Sequence, residues 1–227
     1  MHPYTYAEAP VAVSARAAFL RRTYAHLLGA IALFVALQFA LFSSGLAEDI
    51  ARTMLSVNWL FVLGGFVAVS WVATRVVSVA ESRTAQYAAL GAFVLAQALI
   101  FVPLLVVAAF YAGPATIPSA ALITTLGFLG LTGIAFQSGK DFSFLGGLLK
   151  WGFVVAIALI VGGVVFGFQL GVFFSAAMVG LAGAAILYDT SRILRDYPED
   201  RHVAAALQLF ASVALMFYYV LMLLTRR

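Results

Sequence analysis

The segment Leu187-Tyr188-Asp189-Thr190-Ser191-Arg192-Ile193-Leu194-Arg195 decides how the chain is read. It closes a run of Gly, Ala, Val, Phe and Leu that begins at Leu170. About 20 apolar residues rising ~1.5 Å each cover the ~30 Å hydrocarbon core of a bilayer, so residues 170–194 form a membrane-spanning helix. Asp189 then stands ~30 Å from the turn at Gln169, close to the far edge of the hydrocarbon. A carboxylate at mid-membrane costs roughly 2.5–3.5 kcal/mol on insertion scales, so an acid here is a working group or an interface anchor. Two readings stay open. Arg192, at i+3, can make Asp189 half of an interfacial ion pair. Alternatively, Ser175, Met178, Ala182, Ala185, Asp189 and Arg192 share one helical stripe of mostly small or polar residues, the kind that faces another helix. Asp189 then points into a bundle, where burial disfavours its charge and Arg192 favours it.

The rest of the chain repeats the apolar theme. Of 227 residues, 64% are hydrophobic and only 10% charged, with mean hydropathy +1.07; in a soluble domain about a quarter are charged. The fold class is an all-α integral membrane protein whose principal partner is the lipid bilayer. A polar N-terminal tail over residues 1–15 precedes a single transmembrane domain over 16–227. Its spans fall at about 20–42, 58–79, 86–111, 119–136, 144–165, 170–194 and 203–224. The first 19 residues lack an apolar core and a processing site, so no cleavable signal is expected.

Between the spans, residues 43–57 read as a loop carrying Glu48, Asp49 and Arg52. Pro103 interrupts span three and predicts a kink. Gly127, Gly130 and Gly133 in span four predict close helix approach. Gly163, Gly167 and Gly171 straddle a turn and read as a chain reversal.

The basic residues orient the bundle. With the N-terminus inside, the inner connections hold Arg16, Arg21, Arg22, Arg75, Arg83, Lys140, Lys150, Arg192, Arg195 and Arg201, and the outer loops hold only Arg52. That distribution places the N-terminus in the cytoplasm. Arg226 and Arg227 end outside if the last segment crosses, and inside if it re-enters.

The side-chain chemistry excludes much. Without cysteine there is no disulfide, thiolate metal site or cysteine nucleophile. His2, His26 and His202 lack metal-ligand spacing. There is no Gly-x-Ser-x-Gly elbow, P-loop or His-Glu-x-x-His, and no lysine in the last segment to carry retinal. We expect no enzyme, cofactor or metal site. The net charge of +4 reports orientation, so no nucleic-acid partner is expected. Gln208 and Ser212, four apart, make a polar face on the last segment. Ser70, Thr74 and Arg75 cluster in span two; hydroxyls there commonly bond their own helix.

Two motifs carry a resemblance. Ala121-Leu122-Ile123-Thr124-Thr125 through Phe128-Leu129-Gly130-Leu131-Thr132, followed by Lys140-Asp141-Phe142-Ser143-Phe144-Leu145-Gly146-Gly147, resembles the fourth-span signature of the Bax inhibitor-1 family. Leu187-Tyr188-Asp189-Thr190 with Arg192-Ile193-Leu194 resembles its sixth-span signature. The likeness extends over about residues 16–224. It implies six helices around the C-terminal one, and a pH-sensitive cation leak with calcium or protons as permeant ions. Asp189 would be its gating carboxylate, set against Arg192 or Arg75.

The family pairs the sixth-span aspartate with a second one in the last helix, and Ser212 stands at that place. Leu215 and Met222 stand where the family has Asn and Arg. This pattern is similar to the bacterial YccA-like branch of the inner membrane, which implies an alternative role as a non-conducting regulator or substrate of the membrane protease FtsH.

Overall fold

The computed structural model describes the backbone of residues 8–226 and the side chains of residues 15–226. The described chain folds into helices α1 (Glu8–Ser43), α2 (Leu46–Ser56), α3 (Trp59–Val79), α4 (Arg83–Tyr111), α5 (Thr116–Ser138), α6 (Leu145–Phe166), α7 (Val172–Arg195) and α8 (His202–Thr225). All but α2 are long and apolar enough to cross a membrane, α1 over Ala15–Ser43. The seven long helices cover the apolar runs of the sequence, with bounds within about five residues of theirs. Helix α1 starts at Glu8, so the latter half of the stretch read as a tail is helical; residues 1–7 and Arg227 lie outside the described residues.

The expected loop at 43–57 contains a helix. Gly45 adopts φ 78°, a left-handed conformation that costs glycine nothing, and turns the chain out of α1. Glu48 and Asp49 occupy the first turn of α2, where negative charge favours the helix dipole. Ala47 and Ala51, one turn apart, are buried against Val102 of α4, with Phe42, Ile50 and Val106 around them. Asp49 and Arg52 pair at 3.6 Å on the exposed side. The charges that made this segment look like a loop are the outer face of a short amphipathic helix lying across the end of α4.

Two helices share the centre. Helix α8 packs against α1, α3, α4, α5 and α7, and α4 is at least as deeply buried because α1, α2, α3 and α8 all lie on it. Phe34, Phe93, Phe101 and Phe210 interlock edge-on between α1, α4 and α8. Helix α6 is peripheral; it lies on α7 and approaches α8 through Phe153 and Ala156 near Tyr219 and Met222. Large apolar side chains such as Phe39, Phe61, Trp71 and Trp151 point outward. That is the expected surface of a protein in lipid, where tails are as apolar as Leu and helices associate by packing rather than by escape from water.

The glycines sort unexpectedly. A Cβ on Gly127 would meet Met216 of α8 at 3.2 Å, whereas Gly130 and Gly133 face open space. Of the three predicted close approaches, only the first is made. The tighter seam is α6 on α7, where a Cβ on Gly152 would lie 2.6 Å from Leu181 and one on Gly146 would lie 3.0 Å from the Tyr188 ring. Gly167 ends α6 at φ 74°, with its N–H donating to Gly163 O at 2.9 Å, so the Gly163–Gly171 stretch is the expected reversal. Pro103 is buried inside α4, and the backbone stays helical through it to Tyr111.

Candidate functional site at the α7–α8 contact

Helix α7 brings Asp189 against α8. The Ser212 hydroxyl donates to Asp189 Oδ2 at 2.6 Å, and both side chains are buried, Asp189 at 3% exposure and Ser212 at 5%. The bond lies at the short end of the O–H···O range. The small residues before Asp189 make it possible: Ser175, Met178, Ala182 and Ala185 are all buried on the expected stripe. The interfacial ion-pair reading fails. Arg192 makes no ion pair among the described residues; its guanidinium lies over the Tyr188 and Tyr197 rings, at 5.5 and 5.7 Å. Arg75 is not brought to the site either. It is exposed on α3, and no hydrogen bond or ion pair links it to Asp189. Gln208 is half-buried one turn from Ser212, and Ser212 alone of the two reaches Asp189.

More hydroxyls lie nearby. Thr190 and Ser191 are buried beside Asp189. Ser191 Oγ accepts from Phe142 N–H at 3.1 Å, which ties the α5–α6 loop to α7. Arg195 donates to Gly139 O in the same loop. Within that loop the Ser143 N–H and hydroxyl donate to Asp141, at 2.8 and 3.1 Å, and these bonds hold the exposed Asp141 carboxyl below the usual carboxylate range. Burial pushes the Tyr197 phenol up, partly offset by Arg192.

Sequence reasoning missed Arg16 as a site residue. Its guanidinium donates to Ile193 O and Tyr197 O, each at 2.6 Å, and to Leu194 O at 3.2 Å. The last carbonyls of a helix lack intrahelical donors and carry partial negative charge. One cation from α1 therefore closes the end of the helix that carries Asp189. Arg83 and Arg201 act likewise between turns: Arg83 donates to Asp200 O and Arg201 to Ala80 O, both at 2.8 Å.

On the other side of the pair, toward the α6–α7 turn, a cavity of about 430 Å³ opens between α3, α4, α6 and α8. Trp59, Gln97, Phe101, Leu215, Tyr218 and Met222 are among its lining residues. Leu215 lies one turn beyond Ser212 on the same face of α8, so the cavity floor adjoins the Asp189 contact. Helix α8 runs the whole length of the bundle: His202 sits beside Arg83 at one end, and Arg226 donates to Leu170 O in the α6–α7 turn at the other.

Residues 16–227 match the family described as Inhibitor of apoptosis-promoting Bax1. The chain belongs to the Bax inhibitor-1 family. Over 108 residues it is also 34% identical to the uncharacterized protein PA2604 of Pseudomonas aeruginosa, a match that spans 46% of this chain and 47% of that protein. Within this Bax inhibitor-1 family chain, Asp189 meets a hydroxyl from the last helix rather than a second carboxylate.

Proposed function

We propose that this protein is a pH-influenced cation leak of the bacterial inner membrane, without catalytic activity, whose gate is the Asp189–Ser212 contact. The observation that carries the reading is a carboxyl group buried inside the bundle with a hydroxyl as its hydrogen-bond partner and no ion-pair partner among the described residues. Its route is the cavity that descends along α8 to Leu215, continued past the α7–α8 contact toward the Arg16-capped end. With Asp189 charged, the Ser212 bond is charge-assisted and holds α7 to α8. Protonation removes the charge, weakens that bond roughly twofold and shifts the population toward a separated, conducting state. Calcium is the permeant ion that the family suggests.

The test is calcium flux into proteoliposomes of the full chain at about pH 8 and about pH 6. Wild type is expected to conduct more at the lower pH, and Asp189→Asn to conduct strongly at both. No flux in either protein, or equal wild-type flux at every pH, would sink the proposal. A cytoplasmic N-terminus is part of the proposal; its support is that Arg16, Arg83, Arg192, Arg195 and Arg201 lie at the end of the bundle where α1 and α4 begin, the side that basic residues favour.

A second reading is favoured by Leu215 and Met222, which make the cavity apolar near its floor and mouth. In it the protein conducts nothing and is a substrate or regulator of the membrane protease FtsH, in the manner of the YccA-like branch. Deleting residues 2–14 and following the protein's lifetime in cells tests it. Slower turnover and loss of copurified protease are expected; unchanged turnover with no copurified protease contradicts it.

A further inference from the structure

A second opening lies on the lipid-facing side of α1 and α4, at the end of the bundle opposite the cavity mouth. It is a groove of about 330 Å³ with His26, Gly29 and Leu33 on one wall and Tyr87, Gly91 and Val94 on the other. The helices run parallel here, so the walls pair in register from a polar end at His26 and Tyr87 to an apolar end at Leu33 and Val94. Seven residues at ~1.5 Å make it ~10 Å long, about the depth from a headgroup into the acyl region. The glycines create it: a Cβ on Gly29 or Gly91 would meet nothing within 4 Å.

The polar end is organised and cationic. His26 Nδ1 donates to Arg22 O at 2.6 Å, and Nε2 shares a hydrogen bond with the Tyr87 hydroxyl at 3.0 Å. The His26 ring lies 4.8 Å from that of His202, whose Nδ1 is 3.4 Å from Arg83 Nη1. Arg22 and Arg83 are each one turn closer to the membrane face than the groove residues His26 and Tyr87, and both are exposed. The nearby Asp200 carboxylate is turned to Arg201 at 3.4 Å, so neither Arg22 nor Arg83 is matched by an acid among the described residues.

We infer that this groove binds one anionic phospholipid of the adjoining leaflet, with its phosphate between Arg22 and Arg83 and the start of one acyl chain along Gly29 and Gly91. Charge selects the headgroup and the glycines admit the chain. A cation beside an anionic headgroup strengthens binding about fivefold. The site is separate from the Asp189 contact, so it stands or falls independently of the leak.

The experiment is native mass spectrometry of the full chain, released from nanodiscs of phosphatidylglycerol and phosphatidylethanolamine in equal parts. Wild type is expected to retain phosphatidylglycerol preferentially, one per chain. Arg22→Gln should lower that retention about fivefold, and Gly29→Leu should abolish it by filling the groove. A Cβ at position 29 meets nothing within 4 Å and the change removes a helix-weakening glycine, so the fold is expected to persist, and an unchanged melting temperature checks that loss of lipid does not reflect loss of fold. Three results overturn the inference: equal retention of both lipids, preference unchanged in Gly29→Leu, or a lipid-free dimer that Gly29→Leu dissociates.

Discussion

Ser212 determines what Asp189 can do. Two adjacent carboxylates share a proton and titrate as a coupled pair, whereas a serine has no proton to share at these pH values and can only donate or accept a hydrogen bond. The Ser212 bond is the one hydrogen bond the Asp189 side chain receives among the described residues, so Ser212→Ala leaves a buried acceptor unsatisfied. We expect it to cost about 1–3 kcal/mol, read as a lower melting temperature in detergent, while Ser212→Thr, which keeps the hydroxyl, costs less; equal melting of Ser212→Ala and wild type would contradict this. Asp189 was legible in the sequence as an acid against a long apolar run, and its small-residue stripe correctly turned it inward. Its partner was reachable only by resemblance, because nothing in periodicity links α7 to a serine 23 positions later. Arg16 was not legible as a cap: it closes α7 from 178 residues away, and a lone arginine before an apolar run reads equally well as a headgroup anchor.

At the scale of elements, long apolar runs showed where helices cross, since no other structure satisfies its own backbone in lipid without forming a barrel. They did not say which faces meet. Span four carries three glycines at suggestive spacing, yet two face open space, and the closest seam is between α6 and α7 at Gly146 and Gly152. Glycine spacing marks a face that could approach a neighbour, and the neighbour's side chains decide whether it does. A matched pair of variants separates these roles. Gly152→Val would force its side chain into Leu181 and should destabilise the bundle by about 1–3 kcal/mol. Gly130→Val enters open space and should change the melting temperature little. Equal losses in both would remove the argument for the α6–α7 seam. Helix α2 was hidden for a different reason: its Glu48, Asp49 and Arg52 resemble loop composition, and its buried side is only alanine, too small to raise hydropathy above the surrounding polar residues.

For the whole molecule, one end of the bundle is stitched by three arginines, and at the other a single Arg226 contact with Leu170 O borders the cavity. Arg16, Arg83 and Arg201 each donate to backbone carbonyls where α1, α3, α4, α7 and α8 meet, while the opposite end holds the cavity along α8. On the proposed reading, a cation entering that cavity would pass Tyr218 and Leu215 before it meets Asp189 and Ser212, which makes Asp189 the gating acid of the leak. The pH dependence of flux then follows Asp189 on that reading, and the Asp189→Asn variant separates it from His26 and His202. Calcium flux into proteoliposomes measured in small steps from about pH 8 to about pH 5 tests this most directly. The account predicts that wild-type flux rises on acidification along a one-proton curve and that Asp189→Asn is flat. A steeper, two-proton curve in wild type, or a pH dependence that survives in Asp189→Asn, would contradict it.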